Sequence, residues 1–139
     1  MPNKYEVGMK GQKIAEEYLL RKKWTIINRN YRTGRGEIDI IARDREYLVF
    51  VEVKYRRSLS FGEPPEAVTP AKRKAIRNAA EEYLYNEFER NESERDKSEN
   101  DKSENEKSAS SAPNCRFDVV AVYDPPGGER AIEHIEDAF

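Results

Sequence analysis

The chain has 139 residues, 37% of them charged, yet 25 Lys+Arg against 27 Asp+Glu nearly cancel to a net of −2. That length suits one domain around one core; no apolar run approaches the ~20 residues that span a bilayer, and the opening MPNKYEVGMKGQK holds no apolar signal segment. One cysteine (Cys115) and one histidine (His134) exclude an internal disulfide and a Cys/His zinc cluster, so any divalent metal must sit on carboxylate oxygens, and the expected setting is a reducing cytoplasm with no membrane partner.

In chain order, residues 8–22 predict a helix. Ile14, Ala15, Tyr18 and Leu19 recur at helical spacing, and Gly8, Gly11 and Ala15 form a small-residue stripe for close approach to a sheet. Residues 24–32 (WTIINRNYR) suit a strand and Thr33, Gly34, Arg35 and Gly36 a turn. Residues 37–42 (EIDIIA) and 47–55 (YLVFVEVKY) are short, β-branched and apolar, which predicts a hairpin turning at about Asp44–Tyr47. The second strand is apolar on both faces over Leu48–Val51, as a central strand should be. After the irregular FGEPPEAV, Thr69 and Pro70 make an N-cap and first turn, and Ile76, Ala79, Ala80, Tyr83 and Leu84 mark an apolar stripe to about Tyr85.

Residues 86–114 break the composition. Only three of these 29 are apolar, acids outnumber bases nine to five, and RDKSEN, NDKSEN and NEKSAS are near-copies. Such a segment buries too little apolar surface to offset its ordering entropy, so it reads as a flexible surface insertion, with some helix carried into its start. RFDVVAVY (116–123) is another strand, PPGG turns the chain, and AIEHIEDAF adds a short edge strand. The expectation is one domain, 1–139, interrupted at about 88–114: an α/β fold in the order α-β-β-β-α-β-β, with a mixed sheet flanked by helices.

The insertion also hides the charge pattern. Without it the chain carries +2, and residues 21–57 alone carry 11 bases against five acids. The near-neutral total therefore does not exclude a phosphate-bearing partner.

Strand alternation places Val49, Val51 and Val53 on one face and Leu48, Phe50, Glu52 and Lys54 on the other. Matching them to Ile38, Ile40 and Ala42 gives pairs whose numbers sum to 91, with two-residue slips to 89 or 93 also keeping parity. It sets Asp39 opposite Glu52 and Glu37 opposite Lys54, so all four share a face. Two adjacent carboxylates suit a hard cation such as Mg²⁺, and a nearby lysine can orient a metal-bound water. From parity alone, a surface ion pair of Glu37 with Lys54 explains the pattern slightly better.

Asp39, twelve intervening residues, then Glu52-Val53-Lys54 resembles the core of the PD-(D/E)XK nuclease superfamily. GEIDIIARD, LVFVEVKYRR, FGEPPEAVTPAKR, RFDVVAV and IEHIEDAF, in that order, resemble the bacterial YraN family of uncharacterised endonuclease-like proteins, similar in fold to archaeal Holliday-junction resolvases. The resemblance implies a restriction-endonuclease-like core and Mg²⁺- or Mn²⁺-dependent phosphodiester hydrolysis of DNA, branched or structured DNA included. Asp39 and Glu52 would hold the metal, Lys54 would assist the attacking water, and related resolvases imply a homodimer. One position departs. The family usually has Glu after the second glycine of the first helix, where this chain has Gln12, which offers only a weak carbonyl ligand. Glu16, one turn on, either substitutes or is an ordinary solvated residue, the latter reading being preferred.

Arg29, Arg32, Arg35, Arg56, Arg57, Lys72 and Arg73 are expected to contact phosphates, with Tyr31 and Tyr55 among them to stack on bases. Glu63 and Glu66 are candidates for the site rim. His134 is expected to be structural or exposed and Cys115 a buried or inert thiol. Two other function classes stand beside the nuclease: a nucleic-acid-binding module with an impaired site, and an interaction scaffold that uses the insertion as a tether.

Overall fold

The computed structural model describes residues 3–57, 68–96 and 113–139. Among them two helices and five strands follow in the expected order: α1 (Lys4–Arg21), β1 (Thr25–Arg32), β2 (Glu37–Asp44), β3 (Tyr47–Arg56), α2 (Pro70–Asp96), β4 (Asn114–Tyr123) and β5 (Ala131–Ile135). The expectations for Glu63, Glu66 and the repeats from Lys97 onward lie outside the described residues.

α1 starts four residues earlier than its apolar stripe suggests. Asn3 accepts a hydrogen bond from the Glu6 amide (2.9 Å) while Glu6 Oε2 accepts from the Asn3 amide (3.3 Å), a reciprocal cap that satisfies two orphan donors. α2 opens as predicted, the Thr69 hydroxyl accepting from the Lys72 amide at 3.2 Å, and runs to Asp96, so helix persists well into the low-complexity segment.

The five strands lie in sequence order, β1-β2-β3-β4-β5. β3 and β4 run parallel over ten pairs, from Tyr47↔Asn114 to Arg56↔Tyr123, and every other neighbouring pair is antiparallel. A parallel pair needs a crossover, and α2 lies within it. The β2–β3 register matches the expected sum: Ile40↔Val51, Ala42↔Val49 and Asp44↔Tyr47, turning through Arg45, whose φ of 56° lies in the left-handed region. β3 is central, and Leu48, Val49, Phe50 and Val51 are all buried.

Two apolar clusters cover the faces. On the α1 side Ile14, Ala15 and Leu19 pack with Trp24, Ile40, Val49, Val51 and Val120; on the α2 side Ile76, Ala79, Ala80 and Tyr83 pack with Ile41, Leu48, Phe50 and Val119. Gly11 matters here, because a Cβ would lie 2.6 Å from Tyr55 Cβ. Gly8 meets nothing within 4 Å, so the expected small-residue stripe reduces to Gly11 and Ala15.

Alternation fails within β2. Ile38 belongs to the α2-side cluster and Ile40 to the α1-side cluster, although two residues apart should share a face. The partner strand breaks at the same level: Asn30 has φ of 50°, Tyr31 opposite Ile38 packs on the α2 side, and Arg29 opposite Ile40 pairs with Glu16 of α1. Asp39 sits at this reversal. The expected single face for Ile38, Ile40 and Ala42 is thus corrected by a local backbone irregularity that side-chain patterning does not encode.

Candidate functional site

The break at Asp39 determines what its carboxylate can reach. The paired register of β2 with β3 ends at Ile40↔Val51, and beyond it Asp39 Oδ2 accepts a hydrogen bond from the Val53 amide at 2.8 Å. The side chain therefore lies between the separating strands. It lines a cleft of about 480 Å³ on the α1 side, together with Tyr5, Met9, Gln12, Asn30, Arg32, Glu37, Val53 and Tyr55.

Glu52 follows from the buried end of β3. Its side chain is 6% exposed, and Lys72 Nζ lies 2.8 Å from Oε1. The Asp39 and Glu52 carboxyl groups lie close enough to affect each other's ionisation. Burial raises the pKa of Asp39, with the Val53 amide and the Lys72 charge only partly opposing it. Glu52 is pushed up to about 7, first by burial and next by the Asp39 charge, against the pull of Lys72. Lys72 is raised: burial works to lower it, and the bond and charge of Glu52 overcome that.

Chemically, this is a buried carboxyl beside a half-buried one, with Lys72 as the neighbouring cation. Such a pair fits a hard divalent cation completed by water and phosphate oxygens. Among the described residues no group of three His, Cys, Asp or Glu side chains converges, so Asp39 and Glu52 would be the carboxylate donors. Gln12 is buried and borders the cleft, but has no charge to contribute.

The other expected site residues divide. Lys54 is half-buried on β3, two residues beyond Glu52, and pairs with Ala121 across the β3–β4 ladder. Glu37 lines the cleft beside Arg32, whose Nε lies 3.3 Å from Glu37 Oε1. Glu16 is ion-paired with Arg29, in a neighbouring cleft that shares Met9, Gln12 and Asn30 with the first. Arg35 lies apart, lining a separate depression with Glu81, Glu82 and Tyr85. Tyr55 donates to Asp124 Oδ2 (2.7 Å), and Arg73 Nε donates to the Val68 carbonyl (2.8 Å), so both have structural duties. Arg56 is half-buried and Arg57 exposed at the end of β3.

Sequence reasoning placed Lys72 among phosphate contacts and did not connect it with Glu52. Tyr5, Met9 and Asn30 were not expected in the cleft at all. The Asn3–Glu6 capping pattern was the available signal, because extending α1 to Lys4 puts Tyr5, Met9 and Gln12 on one helical face.

A second polar cluster occupies the α1 face of β4. Asp118 is fully buried; Arg116 Nε and Nη2 each donate to it at 2.9 Å, His134 Nε2 lies 2.8 Å away, and the Asp137 amide donates at 3.0 Å. His134 Nδ1 faces Lys22 Nζ (3.2 Å), so the tautomer with the proton on Nε2 satisfies both sides. His134 is structural, as expected. Cys115 is exposed, which corrects the expectation of burial: it lies at the start of β4, before that strand enters the core.

Comparison with other chains places these features in a family. The sequence pattern of the uncharacterised protein family UPF0102 matches residues 11–122. A UPF0102 protein of Chlorobium phaeobacteroides strain BS1 is 41% identical over 97% of this chain and 94% of its own length. A UPF0102 protein of Rhodococcus opacus is 40% identical over the whole of both chains, and one of Geobacter sulfurreducens is 38% identical over 96% of this chain and 88% of its own. Among the described residues no helix is long and apolar enough to cross a membrane.

Proposed function

The chain belongs to UPF0102, the YraN family, whose name carries no activity, and on that premise we propose that it is a metal-dependent endonuclease-like protein acting on DNA. The observation that carries this reading is the pairing of Asp39, held on the Val53 amide in the wall of an open cleft, with the buried Glu52 beside it. Buried carboxyls held together without enough donors destabilise a fold, and such arrangements concentrate at functional sites.

Asp39 and Glu52 would hold Mg²⁺ or Mn²⁺. When bound, the ion would supply an acidified water and positive charge against the scissile phosphate. The Val53 amide fixes Asp39, so one ligand is already oriented. Lys54, two residues further along β3, would orient the attacking water. Arg32 at the cleft wall and Arg56 and Arg57 at the strand end supply cations along a phosphate backbone, a role that makes binding salt-sensitive. Tyr5 and Met9 offer an apolar rim on which a base can rest.

The test is a cleavage panel of single-stranded, duplex, flap and four-way DNA with Mg²⁺ and with Mn²⁺. The expected outcome is cut product in wild type, lost in Lys54→Ala while DNA binding persists. Absence of cleavage on every substrate with both metals, under conditions where DNA is bound, rejects the enzyme. Gln12 favours a second reading, a binding module with an impaired site, because a buried neutral amide stands at the cleft. In that case Gln12→Glu gains cleavage that wild type lacks.

A further inference from the structure

We infer that Lys72 is a built-in stand-in for the divalent cation, neutralising Glu52 when the ion is absent and swinging away when it enters. This rests on reading Asp39 and Glu52 as the metal ligands. The ammonium lies 2.8 Å from Glu52 Oε1, where a cation shared by the two carboxylates would compete with it for the same oxygen.

The two ends of the contact differ in freedom. The Glu52 side chain is 6% exposed and fixed within β3, whereas the Lys72 side chain is 56% exposed. Its backbone is anchored at the start of α2, with its amide on the Thr69 hydroxyl, but a flexible four-carbon stem separates that anchor from the charge. Leaving Glu52 therefore requires only rotamer changes, with no movement of the helix.

The placement is also unfavourable for the helix itself. The first turn of α2 contains no acid and carries Lys72 and Arg73, with Lys74 next, at the positive end of the helix dipole. Cations there oppose the dipole, and an acid would serve the helix better. Helix stability does not explain Lys72; compensation of the carboxylates does. Once displaced, the ammonium lies beside the same centre, able to meet the phosphate oxygens that accompany the metal. One side chain would thus be exchanged from a protein carboxylate to the substrate.

Titration of the folded protein with MnCl₂, read by calorimetry and by the electron paramagnetic resonance of free Mn²⁺, tests this without any turnover. Lys72→Met is expected to bind Mn²⁺ about tenfold more tightly than wild type, because no resident cation must be displaced. Lys74→Met removes the same charge two residues on and should shift affinity less than threefold. Lys72→Arg retains a resident cation and should bind no more tightly than wild type. Circular dichroism confirms that each variant is folded, and if Lys72→Met is not, Lys72→Gln takes its place. Equal or weaker binding in Lys72→Met, or the same gain in Lys74→Met, overturns the stand-in while leaving the metal site itself intact. Absence of Mn²⁺ binding in all four proteins overturns both the stand-in and the metal-site reading.

Discussion

Asp118 and the pair of half-buried Asp39 with buried Glu52 are carboxyl groups in the same sheet, and their surroundings treat them in opposite ways. Asp118 receives two Arg116 bonds, His134 and the Asp137 amide. Burial alone would raise its pKa, but these donors outweigh it and hold the carboxyl below the usual range. Asp39 and Glu52 have one backbone amide, one lysine and each other, and both are raised. A buried acid whose donors outweigh burial is a component of the fold; the pair that burial keeps raised is where we propose the metal binds. Arg116, which also reaches Asp44 and stacks over Trp24 and Tyr47, extends the first kind of order into the surrounding core.

The largest expected contrast is in stability. Asp118→Ala leaves Arg116 buried without its main partner and should cost about 3–5 kcal/mol, read from urea unfolding at pH 7. Glu52→Gln should lose no stability at pH 7, because it removes a carboxyl whose ionisation opposes burial, and the partner it leaves, Lys72, is mostly exposed. Equal losses would erase the distinction between the two sites.

The pH dependence sharpens it next. Glu52 is raised from 4.5 to about 7, so the stability it contributes is fully present below 4.5 and is lost as pH rises through 7. Asp118 is lowered, so its contribution is present above 3.8 and is lost as pH falls through the lowered value. Unfolding measured across this range should show that Glu52→Gln removes a fall in stability on the order of 1–3 kcal/mol between pH 4.5 and 7. The Asp118→Ala variant should keep that fall and lose the decline at acid pH.

The smallest effect is expected from Gln12→Glu, which adds a further carboxylate at the donor-poor end. It should cost about 1 kcal/mol at pH 7, less at pH 5, and tighten Mn²⁺ binding in the same titration. An increase in stability at pH 7 would mean that the position has donors of its own.

Much of the frame was legible because it depends on local rules. The hairpin register followed from apolar matching across a short turn, and Ile40↔Val51 confirms it. Thr69-Pro70 marked α2 because caps are chemically specific. The site was less legible. Parity put Glu37, Asp39, Glu52 and Lys54 on one face, but the reversal between Ile38 and Ile40 places Asp39 between the strands and leaves Glu37 on the α1-side cleft wall. Strand patterning carries no mark of that reversal, apart from an asparagine in β1 that tolerates left-handed backbone. Lys72 approaches Glu52 only through the crossover, so no spacing along the chain announces the contact. Asp118 was read as part of a strand and nothing more, because its partners arrive from its own strand, β5 and the residues beyond.

The left-handed Asn30 has a consequence beyond aiming Asp39. β1 is an edge strand, and an edge of regular strand is a template on which another chain can add. A residue with φ of 50° in its middle, a register shift between Ile26 and Asn28, and exposed Arg29 and Arg32 deny an incoming strand a straight, uncharged row of partners. The irregularity that separates two strands at the candidate site thus also guards the sheet against recruiting its neighbours into aggregates.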